Sequence, residues 1–148
     1  MHDLTLVSVH RARTKAVPVL YQLLKERPEY ARISHKKMPT LNEHEKFVRS
    51  HPFYEWYLIR KSNCYVGELQ VTRLNEIGIS ILKRYQGQGF AEAALKLFVE
   101  SHQPLHDKPA VRVKAWLANV APDNEDSKKF FSRMGFVKVQ ETFRLDVV

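Results

Sequence analysis

The sequence predicts a mixed α/β domain, and three observations carry that prediction. Residues 55–82 hold three β-rich stretches separated by turns of only a few residues, the layout of an antiparallel meander. Segments with apolar residues at helical spacing stand before and after them, so helices are available to cover the sheet. A run containing Gly87 and Gly89 then joins the third stretch directly to a helix. The chain has 148 residues, which predicts one domain over 1–148 that buries roughly 70% of its unfolded surface.

Residues 4–9 alternate and are rich in β-branched side chains, predicting a first strand. Between 16 and 33 the residues Val17, Leu20, Leu23, Leu24 and Tyr30 recur at helical spacing, with Pro18 suited to a first turn and Pro28 placed to end or kink the helix. Thr40-Leu-Asn-Glu43 reads as a capping box opening a helix through Val48, stopped by Pro52. Residues 55–61 and 65–73 follow as strands joined at Lys61-Ser62-Asn63, and 76–82 as a third. A helix over 91–101 places Ala94, Leu95, Phe98 and Val99 on one face. Residues 111–117 predict another strand, and 123–134 a helix with Asp123 as cap and Gly135 as its left-handed C′ residue. Residues 136–139 and 142–148 close the chain as strands.

Composition narrows function. One cysteine, Cys64, permits no internal disulfide and fits a reducing, cytoplasmic compartment. There is no signal-peptide layout and no apolar run approaching the roughly 20 residues that cross a bilayer. The 24 basic residues against 16 acidic, a net +8, suit an anionic partner. The basic runs Arg11-Ala-Arg13-Thr-Lys15 and His35-Lys36-Lys37 carry no aromatics, so no nucleic-acid partner is expected.

The stretch Ile79-Ser-Ile81-Leu-Lys83-Arg-Tyr85-Gln86-Gly-Gln-Gly89-Phe-Ala91-Glu-Ala-Ala94 is the most informative. Glycines between a strand and a helix permit positive φ and close backbone approach, and a helix start presents unpaired N–H groups with partial positive charge. Together they suit a phosphate or pyrophosphate, with Lys83, Arg84 and Arg73 as added charge. A tight ligand-free turn carries the same pattern. A P-loop is excluded because Phe90-Ala91 follows Gly89, and a dinucleotide fingerprint because position 92 is Glu92.

Gln86-x-x-Gly89-x-Ala91 after an apolar strand resembles the Q/R-x-x-G-x-G/A signature of the GNAT acyltransferase superfamily. Downstream, Asn124-x-x-Ser127-x-x-x-Phe131-x-x-x-Gly135-Phe136 is similar to the superfamily's N-x-x-S-x-x-x-Y-x-x-x-G-F helix. The resemblance implies an α+β fold with a mixed, mostly antiparallel twisted sheet of six to seven strands, flanked by four helices and splayed between the fourth and fifth strands.

It further implies a transfer of an acetyl group from acetyl-CoA to a primary amine. The backbone of Gln86, Gly87, Gln88, Gly89, Phe90, Ala91 and Glu92 would hold the pyrophosphate. Ile79 and Ile81 would pair with the pantetheine arm, and the Ile81 amide would polarise the thioester carbonyl. Asn124 matches the asparagine that bonds pantetheine, with a place in the helix's first turn beside cap Asp123 as the alternative. Phe131, also on the cofactor side, stands where the family acid is a tyrosine and cannot give a proton. Tyr85, Tyr57 or water would replace it, or the thiolate would leave unaided.

Asn75-Glu76-Ile-Gly78-Ile resembles a fourth-strand E-I-G-x-x-I pattern and makes Glu76 the candidate general base, while a partner such as Arg73 or Arg60 would make it structural. The alternative fifth-strand glutamate position holds Asn119. No metal is expected, because Pro104 breaks the His102/His106 spacing. Residues 40–45 and 51–57 would border the acceptor, with His44 and His51 as surface histidines. The acceptor, a small metabolite or amino sugar or a protein N-terminus, has no motif. A non-catalytic acyl-CoA-binding protein on the same fold is the rival reading. A homodimer paired through residues 142–148 is a further expectation.

Overall fold

The computed structural model describes residues 3–28 and 37–147. Four strands form one antiparallel sheet in chain order: β1 (Leu4–Ser8), β2 (Glu55–Lys61), β3 (Cys64–Val71) and β4 (Ile77–Ile81). The helices are α1 (Val9–Ala12), α2 (Ala16–Glu26) and α3 (Leu41–Arg49), all between β1 and β2, then α4 (Phe90–Ser101) and α5 (Glu125–Arg133). None of these helices is long and apolar enough to cross a membrane.

Local chemistry sets the boundaries. The Thr40 side chain accepts from the Glu43 N–H at 3.1 Å while Glu43 accepts from the Thr40 N–H at 3.0 Å, the reciprocal box expected at the start of α3. α2 stops at Glu26 because Pro28 disfavours the helical region at Arg27, whose ψ is 123°. The expected helix to 33 is thus shorter, and its residues 29–33 lie outside those described.

Strand alternation distributes side chains between two layers. Trp56 and Leu58 of β2 face α1–α3 and build a core with Val9, Ala16, Leu20, Leu23, Val48 and Leu82. Leu69, Val71 and Ile77 face the opposite way, against Leu95 and Phe98 of α4. The β2–β3 ladder shifts register at Ile59/Arg60, and there Ile59 and Val66 meet Phe90 and Ala94. Beside that bulge, Gly67 pairs with Ile81. A Cβ on Gly67 would stand 2.3 Å from the Ser80 carbonyl oxygen, so only glycine lets β4 pair here.

The expected six to seven strands are four among the described residues. Residues 111–117 contribute only bridges: Leu117 pairs in parallel with Glu76, and Arg112 with Lys108. Residues 136–147 form no strand, and Val137, Val139, Phe143, Leu145 and Val147 are between 69% and 89% exposed. Their alternation supplies strand propensity, but a strand exists only through a partner ladder.

Gly67→Ala is expected to cost about 1–3 kcal/mol in chemical denaturation, because the obstacle is backbone. Gly78→Ala should be milder, since its Cβ would meet the flexible Gln70 side chain, at 3.0 Å.

Candidate active site

The site is built on the outer edge of β4. Ile77 donates to the Leu117 carbonyl at 2.7 Å, and Leu117 donates to the Asn75 carbonyl at 2.9 Å. In an antiparallel strand a residue's N–H and C=O point to the same side, and that side alternates. Ile79 and Ile81 therefore turn their amides outward like Ile77, yet have no strand opposite them among the described residues. The Ile81 carbonyl is taken by the Gln86 carboxamide at 3.0 Å. Between the Glu76–Leu117 bridge and Gln86 lies a short open edge with the Ile79 and Ile81 N–H groups free.

That edge runs into an exposed loop. Gly87 and Gly89 have φ of 78° and 80°, and Gly89 is the N-cap of α4. Among the described residues the N–H groups of Gly87, Gln88, Gly89, Ala91 and Glu92 have no acceptor; the first bond back into the loop is from Ala93 to the Gly89 carbonyl, at 3.0 Å. Side chains do not obstruct these donors. Phe90 is buried against the sheet, which anchors the helix start, and Glu92 turns along the helix to Lys96 at 3.2 Å. The result is a run of amides with the positive end of a 12-residue helix behind it, an anion cradle. Lys83 and Arg84 stand just before it, whereas Arg73 lies at the opposite end of β4, one strand length away.

Glu76 marks where the edge opens. One of its carboxylate oxygens accepts from Thr72 Oγ1 at 2.8 Å and the other from the Asn119 carboxamide. It pairs with neither Arg73 nor Arg60. The fourth- and fifth-strand positions that the resemblance offered for a base thus meet, and an amide opposite the carboxylate turns repulsion into a hydrogen bond.

Asn124, not Asp123, is the N-cap of α5: its Oδ1 accepts from the Ser127 N–H at 3.2 Å. Its Nδ2 has no partner among the described residues and remains a donor. At the other end, Phe136 N–H bonds the Phe131 carbonyl at 2.9 Å and Gly135 N–H bonds the Ser132 carbonyl at 3.1 Å. This is a Schellman motif, and the Phe131 and Phe136 rings, 5.1 Å apart, supply its apolar contact.

Other expected residues scatter. Tyr57 lies on the α4 face with its hydroxyl 3.2 Å from His102 Nε2, and burial, with the charge of Glu55, pushes it up to about 12. Tyr85 sits under Arg84 against Phe90. Segment 51–57 divides between layers: Phe53 and Trp56 pack edge to face at 4.8 Å, Tyr54 is exposed, and His51 stacks on His10 at 3.7 Å. His44 is buried beside Tyr21 rather than on the surface. Among the described residues no His, Cys, Asp and Glu group has a metal-holding arrangement.

One cluster escaped the sequence. Glu68, in the middle of β3, is only 6% exposed and faces the α1–α3 layer between Leu58 and Ser80. Arg27, freed from α2 by Pro28, donates to Ser80 Oγ at 3.0 Å. Burial raises the Glu68 carboxyl to about 7; the nearby Arg27 charge and the Trp56 indole N–H, which itself has no acceptor at hydrogen-bonding geometry, pull the other way. The only sequence signal was an acidic residue inside an apolar strand.

An open strand edge thus leads straight into an amide cradle at a helix start. The family pattern described as "Acetyltransferase (GNAT) domain" matches residues 4–137, and the chain belongs to that family. It is an acyltransferase by that membership. Among solved structures it is similar to an acetyltransferase from Thermus thermophilus, with 23% identity, a TM-score of 0.72, and 95% of this chain and 92% of that one covered. A possible acetyltransferase from Clostridium difficile 630 has 11% identity and a TM-score of 0.67, over 99% and 97% of the two chains. A mutant spermidine N-acetyltransferase SpeG from Vibrio cholerae has 17% identity and a TM-score of 0.66, over 93% and 81%. These likenesses show the fold. Among curated proteins, none matches this chain.

Two outcomes are expected. Asn124→Ala should lose about 1 kcal/mol of stability by chemical denaturation, and Asn124→Asp, which keeps the cap oxygen, should lose little. The Glu68 carboxyl holds its proton in the folded state above the ordinary 4.5, so folded protein binds a proton there that unfolded chain has released. Stability of the native sequence relative to Glu68→Gln should therefore fall as pH rises from about 4.5 to about 7, then stay level. Urea titrations across that window read the difference.

Proposed function

We propose that the protein transfers an acetyl group from acetyl-CoA to a primary amine. The observation that carries this is the unpaired edge of β4 running straight into the amides of the glycine loop. The spacing suits a long, amide-bearing thioester with a diphosphate at its far end. The free N–H groups of Ile79 and Ile81 are donors for amide and thioester carbonyls, as when an extended segment joins a sheet edge. The free loop amides of Gly87, Gln88, Gly89, Ala91 and Glu92 suit the diphosphate, while the Gln86 N–H is already given to the Lys83 carbonyl, and the net charge of +8 favours its approach. Asn124, with its Oδ1 engaged in the cap and its Nδ2 free, is suited to donate to the same arm.

Acetyl-CoA supplies an activated carbonyl whose leaving group is a thiolate. The chain's own part is to hold that carbonyl against the Ile81 N–H, where negative charge develops on oxygen. With phenylalanine at position 131 and Tyr57 tied to His102, no protein acid is assigned, and a thiol pKa near 8.5 lets the thiolate leave unaided. Glu76, held by Thr72 and Asn119 through one hydrogen bond to each oxygen, keeps a free lone pair on each and stays the candidate base where the edge opens.

The amine stays general: a small metabolite, an amino sugar or a protein N-terminus. The Vibrio cholerae relative bears the name of spermidine, and polyamines belong in any panel. A second reading, a non-catalytic acyl-CoA-binding protein, draws on the same Phe131, whose ring serves the helix terminus where the family has its acid.

The test is calorimetric titration with acetyl-CoA, followed by assay of thiol release over a panel of amines. Binding with release is expected. Binding without release would favour the non-catalytic reading, and no binding by folded protein would overturn both. Gly89→Val, which forces a β-branched residue into φ near 80°, should weaken acetyl-CoA binding roughly tenfold or more in the same titration. Asn124→Asp should weaken it too, by exchanging the donor for a charge.

A further inference from the structure

We propose that Glu68 is the carboxylate on which the acceptor amine docks and to which it loses its proton. This rests on the transferase reading above and adds to it the acceptor side, for which the sequence has no motif.

Glu68 lies directly across the ladder from Ser80, so one strand spacing, about 4.8 Å, separates its backbone from that of β4. On the α1–α3 face, β4 presents only Gly78 and Ser80, the two smallest side chains of that strand. Gln70 lies over Gly78, where an added Cβ would meet its carboxamide nitrogen at 3.0 Å. The Gln70 side chain and the Arg27 guanidinium lie over those small residues, so a group approaching the amides of Ile79 and Ile81 from this face meets Glu68 once these two long, flexible side chains swing aside. The opposite face is filled by Ile77, Ile79 and Phe98 beneath α4 and offers no such path.

The surroundings of Glu68 are those of a carboxylate waiting for a cation. A buried carboxylate costs several kcal/mol unless it is paired. Leu58, directly across the ladder on the same face, is fully buried, so an apolar residue packs well here. Arg27 is the one charged group facing it among the described residues, and its guanidinium bonds Ser80 Oγ rather than the Glu68 carboxylate. From β2 comes Trp56, from β4 Ser80, and from the end of α2 Arg27; no direct ion pair results. An alkylammonium supplies both the missing charge and the missing donors. The raised carboxyl, at about 7, also matches a base that must take a proton near neutrality and pass it on.

The ammonium gives one proton to Glu68, which later releases it to solvent. The freed nitrogen lone pair forms the C–N bond as the C–S bond breaks, and the sulfur takes the electron pair. A second nitrogen proton passes to the thiolate, and the third stays on the amide.

The test compares Glu68→Gln with the native sequence. Acetyl-CoA affinity by calorimetry is expected to be unchanged, while thiol release with the best amine of the panel falls roughly 10²–10⁴-fold. The native rate should climb with pH about a midpoint near 7, and the variant should lack that limb. A second readout needs no variant. In native protein labelled at its glutamate carboxyl carbons, with no acetyl-CoA present, the best amine of the panel in its unreacted form should move the Glu68 titration to lower pH, because a bound ammonium favours the carboxylate. Unchanged thiol release in the variant, or a Glu68 resonance that ignores the amine, overturns this assignment and leaves the transferase standing. Absence of release from every amine, with acetyl-CoA bound, overturns the transferase reading and this assignment with it.

Discussion

The architecture turns on one strand edge left without a partner. Two backbone bonds join Leu117 to Asn75 and to Ile77 at the start of β4, and beyond them the outward amides of Ile79 and Ile81 meet no strand among the described residues. Exposed edges are hazards in most sheets, and proteins usually cover or blunt them. Here both ends are closed: Glu76, Thr72 and Asn119 pin the branch point, and the Gln86 carboxamide occupies the Ile81 carbonyl. What stays open between them is about as long as a short peptide. Gly67 serves the same end from behind, because any side chain there would push β4 off the sheet at Ser80 and so move the edge itself.

Charge is divided between the two ends and two faces of this edge. Amides and the α4 terminus present positive potential at the loop end, reinforced by Lys83 and Arg84, which suits an anion. On the α1–α3 face, Glu68 presents a buried carboxylate held in check by Arg27. Anion at one end and cation at the other is the polarity that the proposed reaction between a phosphorylated thioester and an ammonium requires.

Several residues in family positions act here through local structure. Asn124 uses one atom of its side chain for a helix cap and keeps the other, so the cap does not conflict with the proposed binding role. Phe131 stacks against Phe136 at the Schellman turn, so the missing tyrosine hydroxyl leaves a well-packed helix end behind it. Asn119 removes a carboxylate and thereby satisfies another.

Elements with local signals are legible in the chain alone. The capping box at Thr40, the stop before Pro28, the turn around Ser62, the glycine loop and the C′ glycine all come out within a residue or two, because each reflects bonds made within a few positions along the chain. The remainder depends on contacts made in three dimensions. Residues 111–117 and 136–147 have the alternation of strands and lack the partner that makes one, and Arg73, close to the loop in sequence, is carried a strand's length from it. Glu68 looked like any polar residue alternating through a strand until three helices covered that face, since burial and the approach of Arg27 and Ser80 depend on contacts up to 53 residues apart in the chain. Short-range hydrogen bonds can be read from neighbours in sequence; the environment of a buried charge is set by everything packed around it.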